Sequence, residues 1–304
     1  MIYKIFAASW LISFITISCT PNTQEIITID GSSTVFPISK TIAEEFNKIN
    51  PKTRININIS RTSSGFKKFW ANETDISNAS RTIKTEEANL ARTKNINFIE
   101  LPIAYDGITI VVHKNNTWAS EMTTKDLSLI WNSESKILKW SDVRPNWPDR
   151  IIKLYGPSAD TGTFDYFMEA INSKPQASRN DYIKNDDNHV LATSIAEDID
   201  AFGYLSYAHF NKYLNKLKVV ALSHQNNPSV VPNLITINNG TYKPLTRILY
   251  LYINTDKLKQ KKSLRDFMKF FMEVAPSMVG QVGYIQLNDD QYKRNLIILE
   301  KYGL

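Results

Sequence analysis

EIITIDGSSTVFPISKTIAEEFNKI, residues 25–49, holds a complete folding unit. Its first five residues carry three isoleucines and a threonine, a composition that suits a strand. GSSTVFP follows as a loop, and Ile38, Ile42, Phe46 and Ile49 then recur at the spacing of one helical face. The same order returns twice. RININIS (residues 54–60) alternates Ile55, Ile57 and Ile59 as a half-buried strand does, RTSSG reads as a turn, and FKKFWAN begins a helix. IIKLY (residues 151–155) predicts a strand, GPSADTGT a loop, and FDYFMEAI places Phe164, Phe167, Met168 and Ile171 on one helical face. Strands alternating with helices predict an α/β fold of mostly parallel sheets covered on both sides.

Two longer apolar stretches organise these units. IELPIAYDGITIVVH (residues 99–113), broken only by Pro102 and the Asp106–Gly107 pair, predicts a strand that crosses from one lobe to another. YKPLTRILYLYI (residues 242–253) brings the chain back, and SLRDFMKFFMEV (residues 263–274) predicts a closing helix. The expected layout is a discontinuous lobe I of residues 25–104 and 246–304, with lobe II, residues 105–245, inserted into it. Both have ordinary domain sizes.

At 304 residues and 42% hydrophobic content the chain has room for one or two cores. The net charge of +6 comes from 36 basic residues interleaved with 30 acidic ones, with no basic stripe, which argues against a nucleic-acid partner. A mild positive field of this kind still steers a small anion inward. The single cysteine, Cys19, excludes an internal disulfide and a cysteine metal cluster. It closes a short export signal: Lys4, an apolar run from Ile5 to Ile17, Ser18, Cys19, then polar sequence. The run is short for a membrane span, which takes roughly 20 apolar residues. This layout resembles the bacterial lipobox, apart from Thr16 where that motif prefers leucine. Residues 1–19 are accordingly expected to be a lipoprotein signal, with Cys19 lipidated and the protein extracytoplasmic, in the periplasm or cell envelope.

Three loops place hydroxyls and glycine at a predicted helix start: Ser32, Ser33 and Thr34; Thr62, Ser63, Ser64 and Gly65; Thr161, Gly162 and Thr163. A helix start offers unpaired N–H groups and partial positive charge, so it holds an oxyanion without a full cation. Ser and Thr are also the ordinary N-caps, and any one loop alone reads as capping. Three loops at the carboxyl ends of parallel strands converge on one place, where ligands of such sheets bind. Ser80 and Arg81 follow a further strand-like run. Arg81 reads equally as a donor fork for two ligand oxygens and as one side of a surface ion pair.

GSSTVFPI, TSSGFKKF, ETDISNASR, ELPIAYDGITIVV, LYGPSADTGTFDYF and AFGYLSYA, in this order, resemble the periplasmic phosphate-binding proteins of bacterial ABC importers. The resemblance covers nearly the whole mature chain. It implies a type II periplasmic binding fold, two lobes closing on inorganic phosphate at a hinge, delivery to an ABC permease and its ATPase, no catalysis and no cofactor. Carried over by position, Ser33, Thr34, Val35 and Phe36 would bind phosphate, the last two through backbone N–H groups. Thr62, Ser63, Ser80, Arg81, Asp160, Thr161, Gly162 and Thr163 would complete the set. This chain departs from the family pattern in having Arg81 where an aspartate is usual, and Pro157 and Ala159 where an arginine and an aspartate are usual. Arg81 is therefore expected to replace the arginine missing at 157. Phosphate keeps a proton that sulfate lacks, so selectivity calls for a carboxylate acceptor: Asp160 first, the Asp186–Asp187 pair second.

The rival readings are the same fold with sulfate, molybdate or tungstate, or a lipid-anchored surface sensor or adhesin. The expected state is a membrane-tethered monomer. Trp131, Trp140 and Trp147 fit no single helix face and read as packing. The four histidines, His113, His189, His209 and His224, lack metal-ligand spacing, and no nucleophile motif is present.

Overall fold

The computed structural model describes residues 25–303 except 160, 175, 176 and 186. The expectations for Cys19, Asp160 and Asp186 lie outside the described residues.

The chain opens with β1 (Glu25–Gly31), α1 (Phe36–Ile49), β2 (Thr53–Ile57), α2 (Thr62–Trp70), β3 (Ile76–Ala79) and α3 (Thr85–Thr93). The long β4 (Phe98–His113) leads to β5 (Glu121–Thr123), α4 (Thr124–Trp131), α5 (Trp140–Val143), β6 (Lys153–Gly156) and α6 (Gly162–Asn172). β7 (Ile183–Lys184), α7 (Asn188–Ala196), β8 (Ala201–Ser206), α8 (Tyr207–Phe210), β9 (Leu217–Val219), β10 (Ala221–Ser223) and α9 (Leu234–Asn238) follow. The return is made by β11 (Thr246–Asn254), α10 (Thr255–Gln260), α11 (Lys262–Gln281), β12 (Ile285–Gln286) and α12 (Asp289–Glu300).

The main sheet runs β2-β1-β3-β11-β4-β8-β6-β7. β1 is parallel to β2 and β3, and β6 is parallel to β7 and β8, so each lobe has its own parallel unit. β11 and β4 lie antiparallel between them. β4 belongs to both sides: Phe98–Gly107 pairs with β11, and Ile108–Val112 with β8. Pro102, which has no N–H to give a ladder, sits where the β11 register shifts between Leu249 and Tyr250. The carbonyls freed there are taken by α12, with Asn295 Nδ2 on Pro102 O at 2.6 Å and the Tyr292 hydroxyl on Ile103 O at 2.8 Å.

α1 buries Ile38, Ile42 and Phe46, and α6 buries Phe164, Phe167, Met168 and Ile171, the apolar stripes read from the periodicity. Ile49 is 63% exposed, because α1 ends there and the stripe has run past its partner α11; Ile59 is 57% exposed because β2 stops at Ile57. TSSG is the first turn of α2 and no separate turn precedes it. Trp131 and Trp140 are fully buried and Trp147 nearly so, in an aromatic core with Phe167, Phe202 and Tyr204. A smaller core joins Phe66, Phe69 and Trp70 of α2 to Tyr252 of β11.

Candidate functional site

The carboxyl ends of β1 and β3 are drawn together at Gly31, whose φ of +137° is open to glycine alone and whose added Cβ would lie 2.1 Å from Asn78 O. Ser32 N–H donates to Asn78 O at 2.9 Å and Ser60 N–H to Gly31 O at 2.8 Å, so the loops after β1, β2 and β3 are tied to one another. They wall a cleft of about 830 Å³ that is faced from the other side by α6 and the segment 237–244.

Ser32, Ser33 and Thr34 line the cleft, while Val35 is fully buried in the core and neither it nor Phe36 reaches the wall. The Val35 and Phe36 N–H groups donate to Ser32 O at 3.2 and 3.1 Å, because the chain tightens there into the first turn of α1. Thr62 and Ser63 line the cleft from the start of α2, which has no side-chain cap. Their hydroxyls face the next loop instead: Thr62 Oγ1 lies 3.1 Å from Ser80 Oγ and accepts Ser80 N–H at 3.2 Å. Ser63 Oγ accepts from Arg81 Nη2 at 2.9 Å.

Of the two readings of Arg81, the ion pair is the one seen, and Nη1 also donates to Thr82 O at 2.9 Å. Arg81 lines the cleft, and its fork closes on Glu87, Nη1 to Oε2 and Nη2 to Oε1, each at 2.8 Å. The Glu87 hydrogen bond raises the guanidinium above its ordinary pKa. Burial pushes the Glu87 carboxyl up, but the bonds from Arg81 and from Lys84 N–H outweigh it and the net shift is downward. The face of Arg81 lies over the Phe66 ring at 5.5 Å.

Across the cleft, Thr161 behaves as an N-cap: its Oγ1 accepts Phe164 N–H at 3.2 Å and donates to Ser158 O at 2.9 Å. Thr161 and Thr163 are not on the wall, and Gly162 is. A Cβ on Gly162 would lie 2.0 Å from Thr34 Oγ1, so the lobes touch there and only glycine fits. The rest of the α6 wall is Asp165, Tyr166, Glu169 and Ala170. Sequence reasoning missed these residues, although they are the face left over once Phe164, Phe167, Met168 and Ile171 turn inward. Asp187 caps α7, accepting His189 N–H at 2.7 Å, and is not part of the wall.

Arg247 was also missed. It stands opposite Asp106 in the β11–β4 register, with Nε and Nη2 on Asp106 Oδ2 at 3.1 and 2.9 Å. Nη2 also lies 3.0 Å from Thr34 Oγ1 and 3.1 Å from Gly162 O, and the guanidinium carbon sits 4.0 Å from the Tyr166 ring centre. Burial pushes the Tyr166 phenol up, so it stays protonated and donates to Pro244 O at 2.6 Å. The available signal was a charge set among apolar residues in each of two long runs, Asp106 in the first and Arg247 in the second. Among the described residues no group of three or more His, Cys, Asp or Glu side chains could hold a metal, and no helix is long and apolar enough to cross a membrane.

The wall thus carries hydroxyls that follow β1, β2 and β3, the guanidiniums of Arg61, Arg81 and Arg247, and carboxylates on α6. Residues 18–274 match the model of a PBP superfamily domain. The chain is 37% identical to the protein SphX of Synechocystis over 93% of its own length and 85% of that protein. It is 36% identical to the phosphate-binding protein PstS of Staphylococcus haemolyticus, over 90% of this chain and 84% of that one. The crystal structure of a "possible phosphate binding protein" from Planctomyces limnophilus superposes with a TM-score of 0.88 at 39% identity, covering 92% of this chain and 99% of the other.

Proposed function

Because the chain belongs to the PBP superfamily and, within it, to the family of the phosphate-binding protein PstS, we propose that it is an extracytoplasmic receptor that closes two lobes on inorganic phosphate and passes it to an ABC importer. The observation that carries this reading is the cleft in which Ser32, Thr34, Thr62, Ser63, Ser80 and Arg81 face Gly162 and the start of α6. An anion between these walls gathers donors from both lobes, so binding favours the closed state. In this reading the lobes are residues 25–104 with 246–304 and residues 105–245, with β4 and β11 as the hinge strands. The protein acts as a monomer without cofactor or turnover, tethered through a lipidated Cys19; mass spectrometry of the mature N-terminus tests the tether.

Preference over sulfate rests on a carboxylate that accepts the phosphate proton. Asp165 and Glu169 stand on the wall, and Asp160 immediately precedes the α6 cap. Calorimetric titration of the anion-stripped protein with phosphate and then sulfate tests the reading. Phosphate is expected to bind and sulfate to compete poorly. Arg81→Ala removes one charge-assisted contact and is expected to weaken phosphate binding roughly ten- to a hundredfold. Wild-type protein that binds neither anion overturns the receptor reading.

A further inference from the structure

Arg247 is 11% exposed, and two of its three nitrogens are fully engaged: Nε on Asp106, and Nη2 within reach of Asp106, Thr34 Oγ1 and Gly162 O. Nη2 has two hydrogens for three acceptors, so it is saturated. Nη1 has no hydrogen-bond partner among the described residues, yet Arg247 lines the cleft. This donor pair is not among the buried unpartnered atoms, so it opens on the cleft and can meet water or a ligand there.

The residue is also held in place from several sides. Asp106 fixes it from the neighbouring strand, the Tyr166 ring covers one face, and Thr34 and Gly162 grip it from opposite lobes. A planar fork held on every other side presents its remaining edge at little further loss of side-chain entropy.

We infer that Arg247 is an anion-binding residue of the hinge, whose Nη1 edge donates to the captured oxyanion while its Nη2 edge spans the two lobes. The inference rests on the receptor reading above and extends it. The bound dianion then meets a guanidinium that Asp106 holds from β4 and that Thr34 and Gly162 grip from opposite sides of the cleft. Arg247 thereby couples affinity to closure, since opening the cleft separates Thr34 from Gly162 and removes two contacts of Nη2 while Asp106 keeps its hold.

The test is calorimetry of inorganic phosphate on the full chain as wild type, Arg247→Gln and Arg247→Lys, with near-ultraviolet circular dichroism as a check of folding. Arg247→Gln is expected to bind phosphate roughly ten- to a hundredfold more weakly. Arg247→Lys keeps the charge and loses the second edge, and is expected to lose roughly tenfold. In 15N spectra, a guanidinium signal absent from both variants is expected to move when phosphate is added to the wild type, which a purely structural strut would not do. Folded Arg247→Gln with wild-type affinity overturns the assignment. If that variant fails to fold, wild-type affinity in Arg247→Lys overturns it in turn. An Arg247 signal that ignores phosphate overturns the contact, and wild-type protein that takes up no phosphate overturns the receptor reading and this assignment with it.

Discussion

Arg81 and Arg247 line the same cleft, and each is braced by one carboxylate, one loop hydroxyl and one aromatic face, but the two assemblies differ in where their parts come from. Arg81 draws Glu87, Ser63 and Phe66 from the one stretch that includes α2, β3 and α3. Its carboxylate takes both nitrogens, one on each oxygen, and the whole device lies within residues 62–87. Arg247 takes Asp106 from β4, Thr34 from the β1 loop, and Gly162 and Tyr166 from α6. A local device can be complete before the lobes meet. One assembled from β4, the β1 loop and α6 needs all of these elements in place.

The sharpest test of that difference is stability after each carboxylate is removed. Asp106→Ala strands a guanidinium that is 11% exposed and is expected to destabilise the protein by about 3 kcal/mol. Glu87→Ala leaves Arg81 able to turn to water, with an expected loss of about 1 kcal/mol. Equal losses in urea unfolding would erase the distinction. Gly162→Ala is the next largest in effect. Its Cβ cannot share space with Thr34 Oγ1, so closure is obstructed while each lobe keeps its core. Phosphate affinity should fall roughly tenfold, with the unfolding midpoint nearly unchanged and the ligand-induced compaction in small-angle scattering diminished. Unchanged affinity would show that the bound state does not use the Thr34–Gly162 contact.

The smallest effect is a pH dependence confined to the Arg81 assembly. The Glu87 carboxyl titrates below its ordinary value of 4.5 in the folded protein, so the unfolded chain takes up the proton first as pH falls. Its stabilising contribution is present above that value and is lost as pH drops through the lowered pKa. The stability difference between wild type and Glu87→Gln should therefore be present at pH 6, under about 1 kcal/mol, and shrink below pH 4. A difference that grows on acidification would reverse the sign and with it the assignment of Glu87 as the ionised partner.

Much of the cleft was legible without coordinates. The loops with Ser32–Thr34, Thr62–Ser63 and Ser80–Arg81 follow strands whose periodicity is plain, and a strand followed by a helix delivers its loop to the carboxyl edge of the sheet. Gly162 was legible for the same reason, while the structure has Thr161 capping Phe164 N–H and Thr163 off the wall. Val35 and Phe36 were named as backbone donors and are turned into α1 and onto Ser32 O, a local hydrogen-bond choice that side-chain identity does not reveal.

By itself, then, the order of residues determined the α/β class, the helix faces, the long strand at residues 98–113 and the loops that carry hydroxyls. Each depends on neighbours within a few residues, where spacing along the chain is spacing in space. Only the tertiary structure decided that Arg247 faces Asp106 across β11 and β4, that Tyr166 covers its face, and that Thr34 and Gly162 close upon it. These partners lie 81 to 213 positions away in sequence, and their meeting is set by strand register and by the contact of two lobes, which no local period encodes.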